Sequence, residues 1–265
     1  MGGFPCYDIS ERDWHPRLPG FDNTPRETDC RQDGQQPPFP SCGTELLLIM
    51  QKRKQYLGAE DFYNGLRLLD SKLAAIPIIV AFAPIKVIAA GGFFAVAHLK
   101  NRQTTKDLDY LLEPDWANDD DIKQSLREAI VQVADELGYP QNWANDDVAL
   151  FVTKQARQLL MDLALKQNIV LWSGNQITVL SAPVEWALER KLRRIYAADR
   201  GRKAELDLSD ALAMLNLLKN DKGGRLDMEY YRTLNINGFD VVPDRVTMQR
   251  VSAAYKAKYN DEVFF

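Results

Sequence analysis

Phe62, Leu66, Leu69, Leu73 and Ile76 follow one another at steps of four and three, the spacing that lines one side of an α-helix. Pro77 is expected to end that helix, and residues 46–57 upstream read as another. The run Ile85-Lys86-Val87-Ile88-Ala89-Ala90 is short, apolar and β-branched, and Gly91-Gly92 closes it, as expected of a buried strand. A short helix over 93–99 and a second strand over 108–112 follow. Asp119-Asp120-Asp121 offers N-cap and first-turn carboxylates to a helix carrying Ile122, Leu126, Ile130, Val133 and Leu137, which Pro140 is expected to close. The pattern then predicts a strand over 149–152, a helix over 154–167, and extended runs over 168–172 and 176–180 joined by a Ser173-Gly174-Asn175 turn. Beyond Pro183 the periodicity is helical throughout, near 183–198, 207–219, 227–234 and 244–259.

These elements predict an α/β (α+β) fold, a small mixed sheet flanked by helices over residues 44–182, followed by an α-helical region over 183–265. Residues 1–43 are rich in Pro, Gly, Asp and Arg without an apolar period, and read as a poorly ordered arm. With 46% hydrophobic residues among 265, the chain can bury an ordinary core. Lys and Arg number 33 against 37 Asp and Glu, so the net charge of −4 gives no general attraction to nucleic acid or to an anionic membrane. The most apolar window, 74–97, is broken by Pro77, Pro84, Lys86 and the diglycine, which excludes a membrane-spanning helix there. The N-terminus lacks the basic start and apolar run of a secretory signal, so a cytoplasmic protein is expected. Cys6, Cys30 and Cys42 match no zinc spacing and are expected to be reduced thiols; with His15 and His98 the only histidines, a two-histidine metal motif is excluded.

The chemistry is concentrated in Lys106-Asp107-Leu108-Asp109-Tyr110. On a strand Asp107 and Asp109 leave the same face while Leu108 points to the other, with backbone positions roughly 7 Å apart at a rise of about 3.3 Å per residue. Aspartate is disfavoured within strands, and two like charges at alternate positions repel, so a divalent cation between them would offset the cost. Taken alone, an Asp-x-Asp at a strand end has a plainer reading as a solvated pair. Gly91-Gly92, after one strand and before a helix, permits positive φ and lets backbone N–H groups approach a phosphate. The plainer reading there is a tight turn.

Taken together, the strand, the diglycine, the short helix and the segment Arg102-Gln103-Thr104-Thr105-Lys106-Asp107-Leu108-Asp109 resemble the nucleotidyltransferase superfamily of the DNA polymerase β type. Within it, Gly91-Gly92-Phe93-Phe94-Ala95-Val96-Ala97 with that aspartate segment is similar to the branch containing the AbiEii toxins. Ser181-Ala182-Pro183-Val184-Glu185-Trp186-Ala187-Leu188-Glu189-Arg190-Lys191 looks like that branch's lysine helix, and Asp207-Leu208-Ser209-Asp210 like its later aspartate motif. The resemblance implies Asp107 and Asp109 as ligands of Mg²⁺ or Mn²⁺ and, with Lys191, as catalytic residues. It implies that Gly91, Gly92, Arg102, Thr105, Lys191, Arg194, Asp207 and Asp210 contact or orient a nucleoside triphosphate. The solvated alternative has Lys191 and Arg194 paired with Glu189 or Glu205, and Asp207 and Asp210 serving only as first-turn acids of a helix.

One departure from the pattern stands out. Active members add a third carboxylate from a neighbouring strand as general base, and the place for it, 167–172, offers only Asn168. Asp146 and Asp147 are the substitutes, with a loop start as their plainer reading. Three functions therefore compete. The first is a nucleotidyltransferase acting on an unknown acceptor, whether a protein side chain, an RNA end or a small molecule. The second is a catalytically silent nucleotide or metal binder working through protein partners. The third is a scaffold whose helical half makes the interactions.

Overall fold

The computed structural model describes residues 53–197, 202–238 and 241–265. The expected arm over 1–43, its three cysteines, His15 and the start of the helix expected over 46–57 lie outside them. Residues 53–57 are described and are irregular rather than helical, with a bend at 55–56 and Leu57 bridged to Thr105.

Strands Ile85–Ala90 (β1), Leu108–Leu112 (β2), Ala144–Asn145 (β3), Val170–Ser173 (β4) and Ile177–Ser181 (β5) form one mixed sheet in the order β3-β2-β1-β5-β4. β1 runs antiparallel to β2 and parallel to β5, β3 lies parallel to β2, and β4 antiparallel to β5. The end of β1, the start of β2 and the end of β5 therefore meet at one edge, where Ala90 faces Asp109 and Ala89 lies beside Ser181. The α/β class expected from the pattern is the class observed.

Alternation along the strands divides the core into two. Val87, Ala89, Leu108, Tyr110, Leu112 and Val179 face one side, packed with the apolar stripes of Ala59–Leu73 (α1) and Asp120–Leu137 (α4). Ile88, Ala90, Leu111 and Leu180 face the other, packed with Lys154–Gln167 (α5), Val148, Val152 and Trp186. Asp119 caps α4, accepting the Ile122 N–H at 3.0 Å, as the triple aspartate suggested. That helix stops at Gly138, whose φ of 68° suits a residue without a Cβ, two residues before the expected Pro140.

Four local expectations are corrected. Pro77 opens a further short helix, Pro77–Phe82 (α2), because a first-turn proline lacks only an N–H that would be unpaired anyway. Residues 149–152 are not a strand but part of a 3₁₀ turn, Asp147–Phe151; the strand beside β2 is the two-residue β3. Asn168, the one polar candidate at the place expected for a third carboxylate and expected to open a strand, is instead the left-handed C-cap of α5, at φ 56°. Beyond Gly92–Ala97 (α3) and the sheet come Val184–Tyr196 (α6), Arg202–Asp221 (α7), Met228–Thr233 (α8) and Arg245–Tyr259 (α9). Asp207 and Asp210 thus sit inside α7, past its first turn.

α6 buries Leu188 and Leu192 completely against the same core as α7, whose Met214 and Leu215 are equally enclosed. Each such side chain contributes about 1.5–3 kcal/mol. The described residues belong to one compact unit, in which α6 and α7 pack in the same core as the sheet. No helix among the described residues is long and apolar enough to cross a membrane.

Candidate active site at the glycine corner

The chain leaves β1 through Gly91, at φ 76° and ψ −133°, a conformation that side chains rarely adopt. A Cβ there would also stand 2.8 Å from Asp109 Oδ2, so the bare backbone lets the carboxylate lie over the corner. Gly92 is required for another reason. Its Cβ would fall 1.9 Å from Thr105 Oγ1 and 2.6 Å from Thr105 Cβ. Thr105 is buried, and its backbone exchanges hydrogen bonds of 2.7 and 2.9 Å with Leu57. Thr105 therefore packs behind the diglycine and is tied to Leu57 beneath the corner, where it supports the turn and does not line the cleft.

Asp109 lies on the face of β2 that carries Leu111, while Leu108 and Tyr110 point into the opposite core. Asp107 immediately precedes the strand, and both aspartates are half-buried. Burial raises the pKa of Asp109 to about 6, helped by the charges of Asp107 and Asp147 and opposed by Arg190 and Arg194. Burial raises Asp107 as well, with Lys106 and Lys203 opposing and Asp147 reinforcing. Asp107 is thus near enough for its charge to act on Asp109, and each acid is uncomfortable in its charged form. Asp147 reaches this neighbourhood because β3 pairs Asn145 with Asp109 and the 3₁₀ turn follows directly. It stands back from the pair: among the described residues no three His, Cys, Asp or Glu side chains are grouped closely enough to cage a metal.

Across a cleft of about 40 Å³ from Gly91 and Asp109 stands α6, presenting Trp186, Arg190, Lys191 and Arg194, with Val148 of the 3₁₀ turn beside them. The Arg190 guanidinium lies 5.1 Å from the Trp186 ring and 6.0 Å from the Phe151 ring. Burial and the neighbouring Arg194 lower its pKa, while Asp109 and Glu189 pull it back up. Arg190 was not singled out in the sequence. The step of four through Trp186, Arg190 and Arg194 was the available signal, one stripe beside the Ala187 and Lys191 row.

Behind the cleft the remaining motif residues form one buried ion network. Lys191 Nζ donates to Asp207 Oδ1 at 2.8 Å and to Asp210 Oδ2 at 2.5 Å. Arg194 clasps Asp207 through Nε and Nη2 at 3.0 and 2.9 Å. Arg102 clasps Asp210 at 2.7 and 2.5 Å, and Asn101 Nδ2 adds a bond of 2.9 Å. Asp210, fully buried, thus accepts four hydrogen bonds, about all that a carboxylate can take. It is a brace and has no lone pair left for a metal.

Burial and Arg194 lower the Lys191 pKa, with Asp210 and Asp207 opposing. Burial works against the Asp207 charge too, but its bonds from Arg194 and Lys191 outweigh it and hold the carboxyl below its usual range. The alternative pairing with Glu189 or Glu205 is not observed for either cation. Glu189 accepts the Ile236 N–H at 3.0 Å and pairs with Arg193 at 3.1 Å. Arg102, engaged by Asp210, does not line the cleft.

Gly91, Asp109, Lys191 and Arg194 are therefore brought together at the cleft, with Asp107 beside it; Gly92, Arg102, Thr105, Asp207 and Asp210 support them from behind. Two carboxylates plus phosphate and water oxygens make a donor set suited to Mg²⁺, which rarely takes an all-protein cage. Two half-buried acids with raised pKa fit such an ion, which would relieve their repulsion. Compared with protein-family models, with curated proteins and with solved structures, the chain matches none.

Proposed function

We propose that this chain is a divalent-cation-dependent nucleotidyltransferase of the DNA polymerase β type, similar in pattern to the AbiEii branch, moving a nucleoside monophosphate from a nucleoside triphosphate to an acceptor hydroxyl. The observation that carries the proposal is the opposition of Asp109 to Arg190, Lys191 and Arg194 across the bare Gly91 corner. Asp107 and Asp109 would hold Mg²⁺ or Mn²⁺, which when bound stabilises the attacking and leaving oxygens of an in-line phosphoryl displacement. Arg190 and Arg194 neutralise phosphate oxygens, and Lys191, held from below by two carboxylates, keeps one N–H free to point at them. A cleft of about 40 Å³ admits phosphate groups only, since whole-ligand pockets run to roughly 300–1,000 Å³, so sugar and base lie outside it.

Removing the acceptor proton falls to Asp147, the one further acid whose charge is felt by both members of the pair. β5 beside β1 carries no acidic residue, and that favours a second reading: a silent nucleotide binder acting through protein partners. Incubation with labelled ATP, GTP, CTP and UTP, with Mg²⁺ or Mn²⁺, separates the two. Transfer of label that disappears in Asp107→Ala and Asp109→Ala supports the enzyme. A nucleotide-dependent thermal shift without transfer selects the silent binder. Neither transfer nor shift eliminates both.

A further inference from the structure

The 3₁₀ turn beside the cleft carries an anomaly. Val148 within it and Val152 at its end are buried, yet Leu150 and Phe151 between them are 84% and 56% exposed. Keeping two large apolar side chains in water forgoes stabilisation that burial would supply. The turn is not loose: Val148 and Val152 pack in the core behind the sheet, and the Phe151 carbonyl accepts a 2.5 Å hydrogen bond from Asn237 Nδ2. The backbone here is thus held in place and carries an aromatic ring that is 56% exposed, beside a residue of the cleft wall. On the cleft side stands Arg190, which lines the cleft and lies 6.0 Å from the Phe151 ring.

We infer that Phe151, with Leu150 beside it, is a stacking platform for the base of the nucleotide whose phosphates occupy the cleft. The inference rests on the nucleotidyl-transfer reading and extends it to the part of the substrate that the cleft excludes. Three properties favour a base over another apolar occupant. The platform adjoins a phosphate-sized, cation-lined space, so one molecule with an anionic end and a flat end spans both. Its cation sits beside the ring, and an arginine and an aromatic together suit a planar heterocycle. The two exposed side chains of the platform itself, Leu150 and Phe151, offer no hydrogen-bonding group, which predicts stacking with modest discrimination among bases.

The test is equilibrium binding of ATP, GTP, CTP, UTP and inorganic tripolyphosphate, each with Mg²⁺, to the full chain and to Phe151→Ala and Phe151→Tyr. Base-aromatic stacking of the usual strength predicts that Phe151→Ala weakens nucleotide binding by roughly 5-fold to more than 100-fold. Tripolyphosphate should bind all three proteins alike, and Phe151→Tyr should restore nucleotide affinity. Unchanged nucleotide binding in Phe151→Ala overturns the platform and leaves the phosphate cleft standing. So does an equal loss for nucleotide and tripolyphosphate, which marks a structural role. If the wild-type chain binds neither nucleotide nor tripolyphosphate, the nucleotidyl-transfer reading falls and takes the platform with it.

Discussion

Replacing Asp109 by Asn should make the protein more stable at neutral pH, even though it removes a residue on which the proposed chemistry depends. Burial is what most disfavours the charged form of Asp109; the charges of Asp107 and Asp147 add to it, and Arg190 and Arg194 offset part of it. The Asp109 pKa of about 6, against an ordinary 3.8, means that the folded chain holds this proton more tightly than the unfolded chain. The contribution of Asp109 to stability is therefore greatest below pH 4, declines as pH rises toward 6, and is level above. At about 1.4 kcal/mol per pH unit, ionising it costs the fold about 3 kcal/mol. That is a large share of the 5–15 kcal/mol typical of a folded domain.

An asparagine keeps the shape and carries no charge. Urea unfolding of both proteins at pH 4, 6 and 8 should give similar stabilities at pH 4 and an advantage for Asp109→Asn approaching 3 kcal/mol at pH 8, with unchanged denaturant slope. Saturating Mg²⁺ should raise the wild type at pH 8 and narrow the gap. A variant less stable than wild type at pH 8, or a difference that does not vary with pH, would refute the account of Asp109 as a strained, cation-seeking acid.

Other expectations follow from the same geometry. Asp210→Asn strips the shared partner from buried Lys191 and Arg102 and should cost about 3–5 kcal/mol by urea unfolding. Asp135→Asn, which breaks the exposed pair with Arg53, should cost no more than about 1 kcal/mol. Gly92→Ala forces a methyl against Thr105 and should destabilise by about 1–3 kcal/mol. Adding Thr105→Ala should restore only part of the loss, because the Thr105 Cβ is itself 2.6 Å from the new methyl. If the cleft binds triphosphate, Arg190→Ala should weaken nucleotide and tripolyphosphate binding together by about tenfold or more, measured by titration calorimetry, because one charge-assisted bond contributes about 1.5–3 kcal/mol.

Much of this arrangement was legible in the sequence, for identifiable reasons. β1 and β2 declare themselves by short β-branched or alternating runs, and α5 by its apolar period between Thr153 and Asn168, which cap it at either end. The nearness of Asp107 to Asp109 follows from their spacing of two, although Asp107 falls just before β2 and not on it. Other features depended on tertiary context. A two-residue strand such as β3 has no period to detect, and Ala149–Leu150–Phe151–Val152 has a strand's composition while its backbone coils. Pro77 carries the same sequence mark whether it ends one helix or begins the next. Asp207 and Asp210 looked like first-turn acids because α7 begins earlier, at Arg202, in a stretch without an apolar stripe. The role of Arg190 depends on which side of α6 meets the sheet edge, something only the packing of Leu188 and Leu192 decides.

The saturation of Asp210 has a mechanical corollary. One carboxylate ties Asn101 and Arg102, on the loop leading to Asp107, to Lys191 on the wall opposite the sheet. Any swing of α6 that widened the slot would pull through this knot on the loop that leads into Asp107. The width of the slot and the placement of Asp107 are thereby geared to each other; under the proposed function, a substrate that threads its phosphates in from the rim would leave the gearing undisturbed.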